Sequence, residues 1–158
     1  MRKNRALALA LVVAALAAPA LAAPARGPVG LGVYLGSPTG LTVGFDLTRS
    51  SWIDGVVAWD FANSNGARLS IRADYVLAFP GTLVIEGEDI VPFVGAGALV
   101  TIGDPVAVAL MLPFGLDYTF RKAPIELYLE LALGMALVPA TDFVGGGGLG
   151  VRYRFSAN

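Results

Sequence analysis

The chain has 158 residues, with no cysteine, no histidine and a formal net charge of −1. Without cysteine it is neither a disulfide-stapled scaffold nor a thiol or Cys–metal protein, and near-neutral charge gives no electrostatic footprint for nucleic acid. Hydrophobic residues make up 56% and charged ones 15%, too apolar for disorder. Yet beyond the N-terminus no apolar run approaches the ~20 residues of a helical membrane span.

The chain opens on basic "MRKNR", continues with apolar "ALALALVVAALAA", and reaches the small residues Ala18-Pro19-Ala20-Leu21-Ala22-Ala23. This is the order of a cleaved secretory signal, expected over residues 1–22. The apolar run is too short to stay as an anchor, Pro19 interrupts it, and a lipid-anchored lipoprotein is excluded by the missing cysteine. Residues 23–158 are then expected to form a single domain.

Eight segments of period two follow, each bounded by turn residues. They are expected at Val29–Gly36, Leu41–Thr48, Trp52–Phe61 and Arg68–Phe79, then at Ile90–Ile102, Val106–Phe120, Ile125–Val138 and Phe143–Phe155. "ANSNG" after Phe61 carries an Asn-Gly hairpin signal. The Pro80–Asp89 connection is the longest, and is expected either to extend its flanking strands or to form a small flap. Leu-rich "ALMLPFGL" and "LYLELALGMAL" are interrupted by Pro113, Gly115 and Gly134, and alternation outweighs any helical period. An even number of long antiparallel hairpin strands without helices points to an all-β fold, an eight-stranded antiparallel up-and-down transmembrane β-barrel.

The two stripes of each strand differ in kind. One carries Leu41, Val43, Phe45 and Leu47, then Leu69, Ile71, Tyr75 and Leu77, then Val108 to Tyr118 at even positions, and the leucines of "IELYLELALGM". The other is small or charged: Gly30, Gly32, Thr42, Gly44 and Asp46, then Ser70, Arg72 and Asp74, then Gly146 to Arg154 at even positions. An eight-stranded barrel has an interior only wide enough for side chains to fill. Glycine suits that interior, and it makes a poor water-facing surface. The apolar stripe is therefore expected to face lipid.

The small stripe's charges are expected to form an interior polar network of Asp46, Asp54, Asp60, Arg68, Arg72, Asp74, Asp117, Glu126, Glu130, Arg152 and Arg154. A turn centred on "ANSNG" sets Asp60 opposite Arg68 and Asp54 diagonal to Arg72. A turn centred on "PATD" sets Glu126 opposite Arg154, with Arg152 between Glu126 and Glu130. Buried charges persist when paired, and cross-strand neighbours are close enough to pair. Trp52, Phe79, Tyr118, Phe120, Tyr153 and Phe155 gather near one set of strand ends, with Trp59, Phe61 and Phe143 near the other, as aromatic girdles do at bilayer interfaces.

"ADYVLAF", "VPFVGAGALV", "MLPFGLDYTF", "IELYLELALGM" and the closing "GLGVRYRF" resemble a family of small bacterial outer-membrane β-barrels, similar in architecture to the OmpA and OmpX transmembrane barrels. The resemblance covers about Arg68 to Phe155, and reaches the first three strands only by pattern. It implies an outer-membrane location, with membrane lipid and, during biogenesis, the outer-membrane assembly machinery as partners. Gly150, Tyr153 and Phe155 are similar to the glycine and alternating hydrophobic positions of that machinery's recognition signal.

The function expected from these readings is a structural or passive one: a monomeric barrel filled by polar and small side chains, at most a narrow ion leak. Tyr34, Glu126, Tyr128, Glu130, Arg152 and Arg154 inside leave no wide channel. Two alternatives differ in class. A soluble periplasmic lipocalin-like barrel would turn its leucines onto a small apolar ligand. A lipid-modifying outer-membrane enzyme generally needs a histidine base or orienter, and the chain has none; Asp46 with Asp54, or Asp117 with Glu126, would be its proton-sharing pairs. No catalytic residue, metal or cofactor is expected, and "VGGGGLG" lacks the Lys-Ser/Thr and helix of a phosphate loop.

Overall fold

The computed structural model of the chain describes residues 27–37, 39–60 and 68–155, with Asp60 described by its backbone alone. The expected signal segment, Pro38, and Phe61 with the "ANSNG" turn lie outside the described residues. Among the described residues every regular element is a strand: β1 (Val29–Ser37), β2 (Gly40–Asp46), β3 (Ser51–Asp60), β4 (Arg68–Ala78), β5 (Leu83–Ile85), β6 (Glu88–Ile102), β7 (Ala107–Thr119), β8 (Ile125–Val138) and β9 (Asp142–Phe155).

Neighbours in sequence pair antiparallel except β4 and β5, and two further ladders close the sheet on itself. β1 joins β9 from Val29↔Phe155 to Ser37↔Gly147. β4 joins β6 from Leu69↔Ile102 to Ala78↔Phe93. The result is a closed eight-stranded up-and-down barrel of β1 to β4 and β6 to β9, the all-β fold expected from the alternation. Closure leaves no long edge to template pairing with another chain.

One end of the barrel carries the β1–β2, β3–β4, β6–β7 and β8–β9 connections; it is called the far end below. The other, the terminal end, carries Gly27 and Phe155 with the β2–β3, β4–β6 and β7–β8 connections. At the terminal end the Pro80–Asp89 connection forms a short hairpin. β5 pairs with the start of β6 from Leu83↔Ile90 to Ile85↔Glu88. Glu86 and Gly87 make its two-residue turn, both at positive φ (52° and 82°), as tight hairpins of type I′ require. This added pairing carries β6 back to Glu88, ahead of the Ile90 start that alternation suggests.

Pro113 explains a local break. It has no N–H to donate, and the β6–β7 ladder skips from Val94↔Phe114 to Gly97↔Met111 without a change of register. Its ring turns inward and is buried, against the space over Gly95.

The β3–β4 register sets Asp60 opposite Arg68 and Arg72 diagonal to Asp54, as a turn centred on "ANSNG" requires. The last hairpin differs from expectation. Glu126 pairs with Arg152, not Arg154, because β8 and β9 meet from Ala136↔Asp142 and the turn centres on Pro139, closer to β8 than "PATD" suggests. The shift is two residues, so every side chain keeps its face.

The faces separate cleanly. Leu112, Leu129, Leu131 and Leu133 are 55–60% exposed on the outside, as are Leu41, Phe45, Ile71 and Leu77 at lesser values. Inside, Arg152, Arg154, Glu126, Glu130 and Tyr34 are at most 2% exposed. Trp52 corrects the girdle expectation: it points inward at 9% exposure and meets the Phe93 ring edge-on at 5.5 Å. β3 turns its even positions inward, and Trp52 shares that parity with Asp54. The aromatic pairs Tyr118–Phe120 and Tyr153–Phe155 do sit at the terminal end, ring centroids 4.8 and 5.0 Å apart.

Candidate functional site

The chemistry-bearing side chains meet across the barrel axis, since the inward stripes of six neighbouring strands, β4 to β1 and on through β9 to β8, supply them. β9 contributes Arg152 and Arg154, spaced two apart and hence on one face. Arg152 donates from Nη1 to Glu126 Oε1 at 2.8 Å, and from Nε and Nη2 to Thr42 Oγ1 at 3.0 and 2.9 Å. Its Nη2 also donates to Asp54 Oδ1. Arg154 pairs with the other Glu126 oxygen at 2.9 Å and with Asp46. Glu126 therefore bridges two guanidiniums, one opposite on the ladder and one diagonal.

A second arginine centre sits further toward the far end. Arg72 pairs through Nε with Asp74 Oδ2 at 2.7 Å and donates from Nη2 to Glu130 Oε1 at 2.6 Å. Tyr34 Oη donates to the same Glu130 oxygen at 3.1 Å. Asp54 links the centres, since its Oδ2 lies 3.8 Å from Arg72 Nη2 while its Oδ1 takes Arg152. In a medium of low dielectric each charge would be costly alone; here Arg72, Arg152 and Arg154 each meet at least one carboxylate at hydrogen-bond range.

Two tyrosines brace the arginines. The Arg152 guanidinium lies 4.1 Å from the Tyr128 ring centroid and that of Arg72 5.7 Å from Tyr34, within reach of a cation–π attraction. The two rings stack at 6.1 Å, and Tyr128 Oη shares a 2.8 Å hydrogen bond with Thr42 Oγ1. Glycine makes room for these groups. A Cβ on Gly150 would collide with the Tyr128 ring, one on Gly148 would come 2.8 Å from Tyr34, and one on Gly44 2.8 Å from Arg152 Nη1.

Of the expected network, Asp54, Arg72, Asp74, Asp117, Glu126, Glu130, Arg152 and Arg154 are buried, and Asp46 and Arg68 are partly exposed toward opposite ends. Asp117 is within electrostatic reach of Arg152 and lines a terminal-end cavity of about 420 Å³ with Asp46 and Trp52. Asp60 stands opposite Arg68 on the ladder, its side chain outside the described residues. The carboxylate pairs singled out from sequence are not directly opposed: Asp46 faces Trp52, Asp54 faces Gly44 on β2, and Asp117 faces Tyr128. Asp54 is opposed instead to Asp74 across β3–β4, with Arg72 between their carboxylates. Thr42, a junction for Arg152 and Tyr128, was legible only as a member of the inward stripe; nothing in its sequence neighbourhood marks it as an acceptor.

Gly150 faces in beneath Tyr128, whereas Tyr153 and Phe155 face out, at 49% and 47% exposure. Among the described residues no cluster of acidic side chains has the geometry of a metal site. The side chains at the arginine level are too fully buried for a water-wide path to pass beside them. This arrangement binds charge to charge and closes the lumen. No protein-family model, curated protein or solved structure matches the chain.

Proposed function

We propose that the chain is an integral protein of the bacterial outer membrane, a monomeric barrel with a structural or passive role and at most a narrow leak of ions. Residues 1–22 are its export signal, outer-membrane lipid surrounds it, and the assembly machinery engages Gly150, Tyr153 and Phe155. Its build is similar to that of OmpA and OmpX barrels, and it has no enzymatic activity.

One observation carries the reading. Around a closed barrel, leucine, isoleucine, valine and phenylalanine point outward on strand after strand, while arginine, aspartate and glutamate point in. Soluble monomers rarely expose contiguous apolar patches beyond a few hundred Å², and an apolar band outside a polar interior is the pattern of membrane-spanning barrels. A lipocalin-like soluble barrel would need an apolar chamber where Arg72, Arg152 and Arg154 stand.

Cell fractionation with a heat-modifiability gel tests this. The protein is expected in the outer-membrane fraction, migrating faster unboiled than boiled. Recovery in the periplasmic supernatant without detergent would refute it. In planar bilayers no steady open conductance is expected, because the arginine level closes the lumen.

A further inference from the structure

Above the arginine level, at the far end, the lumen opens into a cavity of about 260 Å³. Its walls are of two kinds. Arg68, Arg72, Ser70 and Thr101 form the polar one, the two hydroxyls hydrogen-bonded at 3.1 Å. Met111, Ala132 and Val144 on β7, β8 and β9, with Leu99 of β6, form the other, a packed apolar cluster. None of the described residues lining it is a carboxylate. Arg72 is engaged by Asp74 and Glu130. Arg68 lies across the ladder from Asp60, yet its buried Nε has no hydrogen-bond acceptor. A buried donor left unsatisfied is costly, and here it borders a cavity roomy enough for a ligand.

We propose that this cavity binds a small anionic amphiphile, its carboxylate on Arg68 beside the Ser70–Thr101 pair and its short tail against Met111 and Ala132. Charge selects the head, since the lining offers guanidiniums and hydroxyls and no described carboxylate. Volume limits the tail: a cavity of ~150 Å³ holds benzene, so this one takes a molecule of roughly ten non-hydrogen atoms. A medium-chain monocarboxylate fits both conditions. The inference does not depend on what surrounds the barrel wall, so it stands or falls separately from the membrane reading.

Methionine-methyl NMR on the full chain folded in a zwitterionic detergent tests it, with octanoate, octan-1-ol and octylammonium as probes. Met111 lines the cavity, and Met135 lies on the outer wall at 41% exposure, where it reports partition into the micelle. Octanoate is expected to move the Met111 signal to saturation while Met135 stays still. Octanol and octylammonium bind at least tenfold more weakly. Arg68→Gln weakens octanoate about tenfold or more, as loss of a charge-assisted hydrogen bond does, and Ala132→Leu abolishes the effect by filling the space. If Arg68→Gln does not fold, Arg68→Lys and the three-probe comparison still decide. Parallel unsaturated drift of Met111 and Met135, octanol binding as tightly as octanoate, or unchanged affinity in Arg68→Gln would each overturn the proposal.

Discussion

Glu126 is the side chain shared by two buried guanidiniums. It holds Arg152 through one oxygen and Arg154 through the other, both guanidinium side chains being 1% exposed. Its loss leaves Arg152 to Asp54 and Arg154 to Asp46, and breaking a buried pair costs ~3–5 kcal/mol. Glu126→Ala is therefore expected to lower the unfolding free energy by that order, read as a fall in the guanidinium midpoint, and a midpoint within error of the parent would contradict the pairing. Gly150→Ala is expected to destabilise through overpacking by ~1–3 kcal/mol, because its new methyl collides with the Tyr128 ring. The same change made in a Tyr128→Ala background should cost much less, a coupling that a double-mutant cycle measures. Trp52 behaves oppositely. Its buried indole N–H has no hydrogen-bond partner, so Trp52→Phe removes an unsatisfied donor and should be tolerated. Its sequence position near a strand end suggested a girdle, since aromatics favour rims. Only the parity it shares with Asp54 tells otherwise, and parity is the stronger constraint.

At the level of the strand, alternation tells which face a residue takes and is silent about which partner it meets. A shift of two residues leaves every leucine outside and every arginine inside, which is why the faces of β8 and β9 were legible and their register was not. The β3–β4 register was legible, because a turn centred on "ANSNG" gives the Asp60↔Arg68 pairing that forms, whereas one centred on "PATD" misses the β8–β9 pairing by two residues. Cysteine cross-linking discriminates the two registers in a chain that has no cysteine of its own. Leu127→Cys with Val151→Cys, directly opposed, is expected to oxidise readily, since opposed residues bring their Cβ atoms within disulfide range. Leu127→Cys with Tyr153→Cys is expected to stay reduced; the reverse outcome would restore the turn centred on "PATD". The β5 hairpin was half legible. Pro80–Asp89 is long and polar at both ends, and the pairing of Leu83 to Ile85 with β6 depends on Glu86 accepting positive φ, which a glutamate does not advertise.

Taken as a whole, the molecule is a cylinder whose large aliphatic side chains mostly face away from its own interior. Closure and orientation were legible because both follow from composition by stripe: glycine and paired charge fit a narrow lumen, and leucine is rare in it, Leu99 being an exception. The cavities were not legible, since they depend on how far each inward side chain reaches across the axis. If the outer belt meets hydrocarbon, Leu131→Arg should cost ~2–4 kcal/mol when the barrel is folded in a bilayer, whereas an exposed leucine on a water-facing wall would tolerate the change. The most direct measurement puts a reporter on that belt. Leu112→Trp, made with Trp52→Phe and Trp59→Phe, places a single indole at a site 57% exposed in the middle of β7. In vesicles of lipid brominated along the acyl chain, its fluorescence is expected to be strongly quenched by bromine and little affected by aqueous iodide. Quenching by iodide with indifference to the brominated chains would mean that the leucine face meets water, and would contradict the account.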